Sequence, residues 1–260
     1  RQGKAISVID GMPLGIKDVL QTRDMPTELG SPIFKGHQTN LDSASVNALR
    51  LAGGVILGKT VTTEFAFVKP GPTSNPFDPQ ATPGGSSSGT SAAVGAGMIP
   101  AGLGNQVVGS VIRPASFCGN FAIKPTLGAL HNGEGLSLSQ LHLGVHAASL
   151  ADMWAVAYQI ANRAGGDPGY PGLYGPEEIC PPKKPGRLIL LETEGWEDCT
   201  QKTKDAFFNY LEPLKSLGVE LIRRSDDKSI EHFEKSILGS VILCRIICSY
   251  EIRWLLRNYQ

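Results

Sequence analysis

Residues 82–126 read TPGGSSSGTSAAVGAGMIPAGLGNQVVGSVIRPASFCGNFAIKPT. Gly, Ser, Ala and Val make up most of the stretch, and it carries two separate serine clusters, Ser86-Ser87-Ser88 and Ser110. Glycine tolerates positive φ and lets backbones approach one another closely. A flexible surface linker of similar composition would be polar throughout. Here the runs Ala92-Ala93-Val94 and Ala122-Ile123 break that pattern. The stretch therefore reads as a buried scaffold that presents serines. Within it, residues 84–89 read as a glycine–serine turn and 91–98 as a small-residue helix. Residues 101–110 read as a strand and turn, 114–119 as a turn or short helix, and 121–124 as a strand.

Outward from this stretch the pattern is α/β. Residues 5–9 (AISVI) read as a short strand and residues 11–18 as a second one, with Lys17 inside an apolar run. Such a lysine is either a surface residue at a strand edge or a desolvated amine with a depressed pKa, usable as a base. Asp42 is placed to cap a helix over 43–52, with Ala44, Val46, Leu49 and Leu51 mostly inward. Gly53-Gly54 stops that helix, and residues 55–58 form a buried strand. A helix–strand step of this kind favours an α/β layout. Residues 69–83 are loop. Ser149-Leu150-Ala151-Asp152 has the form of a capping box, opening a helix to about Arg163 with Trp154, Ala157, Tyr158 and Ile160 inward. Residues 165–186 are a long Pro- and Gly-rich connection. A βαβ unit follows at 188–191, 200–217 and 219–222, expected to extend the same parallel sheet. From Ile230 the pattern is helical.

Composition narrows the function. The chain has 260 residues, and its 24 Lys and Arg balance its 24 Asp and Glu. Basic residues do not cluster with aromatics, so a nucleic-acid partner is not expected. The five cysteines, Cys118, Cys180, Cys199, Cys244 and Cys248, show no paired spacing and no CxxC, which argues against a disulfide framework or a zinc site. The longest apolar run, residues 237–248, is interrupted by Arg245 and too short to span a bilayer. A soluble protein of a reducing compartment, the cytoplasm, is expected. Arg1 is not a start residue and Gln260 stands in the middle of an apolar pattern, so the expectation is a single domain over residues 1–260, incomplete at both ends.

Three arrangements could carry chemistry. Gly85-Ser86-Ser87-Ser88-Gly89 matches GxSxG, the nucleophile elbow, but that motif needs a strand before it, and residues 78–83 read as loop. None of the five histidines, His37, His131, His142, His146 and His232, stands in a context that marks it as a base. Residues 53–60 match GxxxxGK[ST] in spacing. There a helix precedes the motif and Val55-Ile56-Leu57 lies between its glycines, so it is a poor phosphate loop. The third arrangement combines Lys17, Ser86–Ser88 and Ser110.

This third set resembles the amidase signature family of serine hydrolases. The resemblance rests on Gly15-Ile16-Lys17-Asp18, on Gly58-Lys59-Thr60 with Glu64-Phe65-Ala66, and on Thr82–Gly89. It continues through Gly109-Ser110-Val111-Ile112-Arg113-Pro114-Ala115, Cys118-Gly119 and Lys124-Pro125-Thr126. It covers residues 11–126 and weakens beyond. It implies a central twisted, mixed β-sheet with helices on both faces, and hydrolysis of a carboxylic amide through a seryl acyl-enzyme. In that resemblance Ser110 is the nucleophile and Lys17 the base. Ser86, 24 residues before Ser110, is the bridging serine, joined to Gly85 by a cis peptide. The backbone amides of Val107, Val108, Gly109 and Ser110 form the oxyanion hole, where losing one donor typically costs roughly 10²–10³ in rate. A small-molecule amide is the implied partner, a homodimer the implied assembly, and neither metal nor organic cofactor is called for.

The chemistry agrees with first principles. A serine hydroxyl attacks poorly unless a base takes its proton, and lysine serves only when burial keeps it neutral. The chain also departs from the family pattern. Asn105 and Val107 stand where threonine or aspartate and then threonine are frequent, and Val108 where glycine or alanine is usual. β-Branched residues beside the oxyanion hole restrict the backbone and narrow the pocket. A catalytically impaired or subunit-like member is therefore the first alternative, and the glutaminase subunit of an amidotransferase complex the second. Arg113, three residues after Ser110 rather than two, speaks against the latter. Arg113 itself suits either a structural tie to a carboxylate or a substrate contact. Gln140 lies in a stretch that often borders the family's pocket, with a structural role the stronger reading, and Cys118 reads as a small packed residue.

Overall fold

The computed structural model describes residues 3–133, 135–136 and 138–257. β1 (Pro13–Lys17) is the strand around which the sheet is built. Leu14, Gly15, Ile16 and Lys17 are all buried, so both faces of the strand are covered. β2 (Val55–Thr60) pairs with it in parallel on one side and β3 (Ala101–Gln106) in parallel on the other. β4 (Phe121–Ile123) and β5 (His142–Ala147) complete the sheet, with β5 antiparallel to both β3 and β4. The strand order is β2-β1-β3-β5-β4, a mixed five-stranded sheet as expected.

The two faces of this sheet differ in kind. Leu14, Ile16, Ala101, Leu103, Leu143, Val145 and Ala147 alternate along the strands and form one apolar core. Against them pack Val46 and Leu49 of α1 (Ala44–Leu51) and Met153, Val156 and Ile160 of α4 (Leu150–Arg163). At the intervening positions stand glycines, and α2 (Ser88–Gly95) and α3 (Ile112–Phe117) lie on that side. A Cβ on Gly102 would stand 2.7 Å from Thr90 Cγ2, on Gly104 2.7 Å from Ser87 Oγ, and on Gly144 2.8 Å from Val111 Cγ2. Side chains there would hold both serine segments away from the strands. The glycines thus serve close approach, and α2 settles with Thr90 Oγ1 donating to Leu103 O at 3.1 Å.

Several local expectations change. Residues 5–9 are turn rather than strand. Ser7 Oγ donates to Ala52 O and the Asp10 amide returns to Ser7 O, which turns the chain so that Ile9 enters the core while Ile6 and Val8 stay exposed. Ser43, not Asp42, is the residue before α1. Asp42 is drawn away by Arg50 at 3.1 Å and by the Arg23 amide at 2.9 Å, and Leu51 ends up exposed. The helix expected at 91–98 begins three residues earlier, at Ser88. α4 does open on its capping box, with Ser149 accepting the Asp152 amide, but Met153 and Val156, not Trp154 and Tyr158, fill its inner face with Ala157 and Ile160.

The chain resolves into two compact units, residues 1–179 with 247–260 and residues 180–246. In the second, β6 (Arg187–Ile189) and β7 (Glu220–Ile222) pair in parallel. α5 (Glu194–Glu197) and α6 (Gln201–Ser216) connect them, and α7 (Lys228–Ser236) and the start of α8 (Ser240–Arg257) follow. Glu192 pairs with Arg223 and Arg224, and Arg224 also with Glu234 at 3.1 Å. The parallel βαβ unit is therefore present, but among the described residues it forms its own two-stranded sheet and does not extend the central one. β6 is exposed along its whole length, its apolar Leu188 and Ile189 included. Among the described residues no helix is long and apolar enough to cross a membrane.

Candidate active site

Lys17 ends β1 on the glycine-lined side and is fully buried. Its Nζ lies 2.6 Å from Asn105 Oδ1, 3.2 Å from Asn105 O and 2.7 Å from Ser86 Oγ. All three neighbours are neutral. Burial without a counter-charge holds the Lys17 amine well below the usual lysine range. A neutral amine has two N–H groups and one lone pair. The two Asn105 oxygens can only accept, so they take the two hydrogens and leave the lone pair for the Ser86 hydroxyl.

Ser86 is itself buried, and the Gly85–Ser86 peptide is cis. Both carbonyls around this bond are held. The Thr63 amide donates to Ser86 O at 3.2 Å, and Arg113 donates to Gly85 O through Nη2 at 2.6 Å and Nε at 3.2 Å. Gly84 sits at φ +74°, and a Cβ there would stand 2.9 Å from Pro114 Cα, so only glycine fits where this turn crosses α3. Arg113 thus ties the serine turn to α3 through a backbone carbonyl, not through a carboxylate.

Ser110 occupies the turn between β3 and α3 and is half-buried. Its carbonyl accepts the Ser87 amide at 3.2 Å, which joins the two serine segments directly. Lys17, Ser86 and the Ser110 turn are therefore brought together at one end of the sheet. Gln106 shapes the turn: its Oε1 accepts the amides of Val111 at 2.8 Å and Ile112 at 3.0 Å, and its Nε2 donates to Val108 O at 3.3 Å. The amides of Val107, Val108, Gly109 and Ser110 have no acceptor among the described residues. Val107 packs against Leu136, Leu138, Leu141 and Cys248.

His146 lies behind the site, fully buried on β5. Asn120 Nδ2 donates to Ser91 O at 3.1 Å, which turns Asn120 Oδ1 toward His146 Nδ1 at 3.1 Å. The ring proton is thereby fixed on Nδ1, and Nε2 is a buried lone pair without a partner among the described residues. Burial, and then the nearby Lys17, push the His146 pKa down to about 3, so the ring is a neutral structural group, in keeping with its sequence context.

The rival arrangements lose their geometry. Ser87, centre of the GxSxG match, is completely buried and no strand precedes it, whereas an elbow needs an exposed hydroxyl after a strand. Lys59, centre of the Walker-like match, lies in β2. Its Nζ is 3.1 Å from Asp18 Oδ1 and donates to Leu20 O at 2.8 Å and Thr27 Oγ1 at 2.7 Å. It is a strut and not a phosphate ligand. Cys118 is buried, with its thiol toward Pro83 O at 3.4 Å. Gln140 contributes its carbonyl to His142 Nδ1 at 2.8 Å.

The chain belongs to the amidase family, whose profile matches residues 1–243. A glutamyl-tRNA(Gln) amidotransferase subunit from Chloroflexus aggregans is 39% identical over 178 residues, 65% of this chain and 36% of that protein. The crystal structure of the corresponding glutamyl-tRNA(Gln) amidotransferase subunit from Thermotoga maritima superposes with a TM-score of 0.77 at 27% identity, covering 96% of this chain and 56% of that one. The peptide amidase of Stenotrophomonas maltophilia superposes at 0.69 with 25% identity, covering 86% and 49%. The chain spans about a third of the curated relative and about half of each matched structure.

Two residues of the site carry roles that their sequence positions did not reveal. Asn105 stood out only as a departure from the family pattern, and Gln106 not at all. A signal was available: β3 reads AGLGNQ and is buried at every position. Two amide side chains ending a fully buried run call for partners, and here Asn105 Oδ1 finds Lys17 and Gln106 finds the Ser110 turn, while Asn105 Nδ2 has no partner among the described residues.

Proposed function

We propose that this chain carries the reaction centre of an amidase that cleaves a carboxylic amide C–N bond through a Ser110 acyl-enzyme. Ser110 Oγ attacks the amide carbon as its proton passes to Ser86 Oγ, and the Ser86 proton passes to Lys17 Nζ. The oxyanion is taken by amides of the Val107–Ser110 turn. Collapse breaks the C–N bond, and the leaving amine recovers a proton from Lys17 through Ser86. Water then releases the carboxylic acid by the same relay. The observation that carries this reading is the fully buried Lys17, whose Nζ meets only neutral atoms and stands 2.7 Å from Ser86 Oγ. The rest of the proposal is a soluble cytoplasmic enzyme acting on small-molecule amides as a homodimer, with chemistry that requires no metal or organic cofactor.

A second reading is favoured by a specific finding. Relatives at 39% and 38% identity are amidotransferase subunits, so the same centre could release ammonia from glutamine for a partner protein. Against it, Arg113 is committed to Gly85 O at 2.6 Å and is not left to bind a substrate carboxylate. Ammonia release by the purified protein decides between them. Turnover of simple primary amides, absent in Ser110→Ala, supports a stand-alone amidase. Turnover of glutamine alone, and only with a partner present, supports the amidotransferase reading.

A further inference from the structure

We infer that Gln106 is a positioning residue for the oxyanion site, its carboxamide setting the peptide planes that aim the Gly109 and Ser110 amides at the substrate oxygen. The inference rests on the Ser110 acyl-enzyme reading and adds to it a residue outside the Ser-Ser-Lys set.

Gln106 is 6% exposed, and its side chain spans the turn from both ends. Nε2 holds the Val108 carbonyl at 3.3 Å, while Oε1 holds the Val111 and Ile112 amides at 2.8 and 3.0 Å. In a planar trans peptide the C=O and N–H point in opposite directions. Fixing the Val108 carbonyl on the Gln106 side therefore turns the Gly109 N–H to the other side. The Arg113 amide holds the Gly109 carbonyl at 2.9 Å, and by the same rule directs the Ser110 N–H away from α3. Because Gln106 consumes the Val111 and Ile112 amides, the donors of this segment that are unbonded among the described residues are those of the Val107–Ser110 turn.

The role needs an amide. A carboxylate has only acceptors, so glutamate would keep the two amides of α3 but present an oxygen to the Val108 carbonyl and release that plane. The Gln106 carbonyl is also taken, by His142 Nδ1 at 3.2 Å, which anchors the end of β3 from which the side chain reaches.

The test compares wild type with Gln106→Glu and Gln106→Met on a primary amide that the wild type hydrolyses. Affinity for a trifluoromethyl ketone, which forms a tetrahedral oxyanion adduct, is measured beside affinity for the planar acid product. Gln106→Glu is expected to lower kcat roughly 10- to 100-fold with KM within about twofold. Ketone affinity should fall by the same factor, and product affinity should hold. A folded Gln106→Glu with unchanged kcat and ketone affinity overturns the inference while leaving Ser110 in place. Wild-type modification at a serine other than Ser110 overturns the underlying reading as well. Should neither variant fold, a crystal structure of the wild-type ketone adduct decides. The inference predicts the oxyanion on the Gly109 and Ser110 amides with Val108 O still on Gln106 Nε2, and an oxyanion held elsewhere contradicts it.

Discussion

Lys17 Nζ and Asn105 Oδ1 lie 2.6 Å apart in a fully buried setting, and the partner is an amide, not a carboxylate. That choice governs the base. A neutral acceptor orients the amine while stabilising its charged form far less than a carboxylate would, so desolvation sets the direction in which Lys17 titrates. Asn105→Asp would place a negative charge at the same distance. An opposite charge this close favours the ammonium and moves a pKa by roughly 1–3 units. The acid limb of kcat/KM should therefore shift to higher pH by about that amount, with activity at neutral pH falling while activity at high pH is partly retained. A pH–rate profile of the variant and the wild type checks this, and an unmoved acid limb would remove Lys17 from the role of base.

The same burial has a consequence for stability. In the unfolded chain a lysine titrates at about 10.4, whereas in the fold Lys17 titrates lower. Between the two values the unfolded chain binds the extra proton, so this position's contribution to stability rises with pH there. It is fully present only above the unfolded value and is lost as pH falls toward the folded one. Thermal midpoints of wild type and Lys17→Met, measured from about pH 6 to about pH 9.5, a range below the unfolded value, should show wild type gaining on the variant as pH increases. Parallel curves would mean that Lys17 is not desolvated.

The glycine-lined face makes a prediction about packing. A Cβ on Gly89, in α2, would run into the Val61 backbone, whereas one on Gly58, in β2, would meet nothing within 4 Å. Gly89→Ala should destabilise by about 1–3 kcal/mol, and should lower activity because α2 begins two residues after Ser86. Gly58→Ala should leave both unchanged or slightly raise stability. Urea denaturation of the pair with amide turnover checks this.

Much of the site was readable because it is local in sequence. The glycine–serine turn, the strand carrying Lys17 and the Ser110 turn each announce themselves by small residues or by a charge in an apolar run. The capping box at Ser149 was equally plain, since a cap depends on residues three apart. What sequence concealed was set by distant partners. β5 reads HLGVHA, with two histidines and a glycine and little β-branched character, yet it pairs with both β3 and β4. Its glycine is dictated by Val111 across the sheet, a contact that no local pattern encodes. The strand expected at 5–9 failed for the opposite reason, as Asp10 took the Ile6 amide and Ser7 Oγ the Ile9 amide, local hydrogen bonds that outcompeted a ladder. The βαβ unit was legible as a unit, but its pairing into a sheet of its own was not, because Leu188 and Ile189 have the apolar character of an interior strand and yet lie exposed.

The central claim is that Ser110 is the nucleophile and that Lys17 activates it. Labelling of the purified protein with a fluorophosphonate, followed by peptide mapping, tests this most directly. The predicted result is a single modification on Ser110 that disappears in Lys17→Ala. A label on Ser87, or a Ser110 label of undiminished rate in Lys17→Ala, would contradict it.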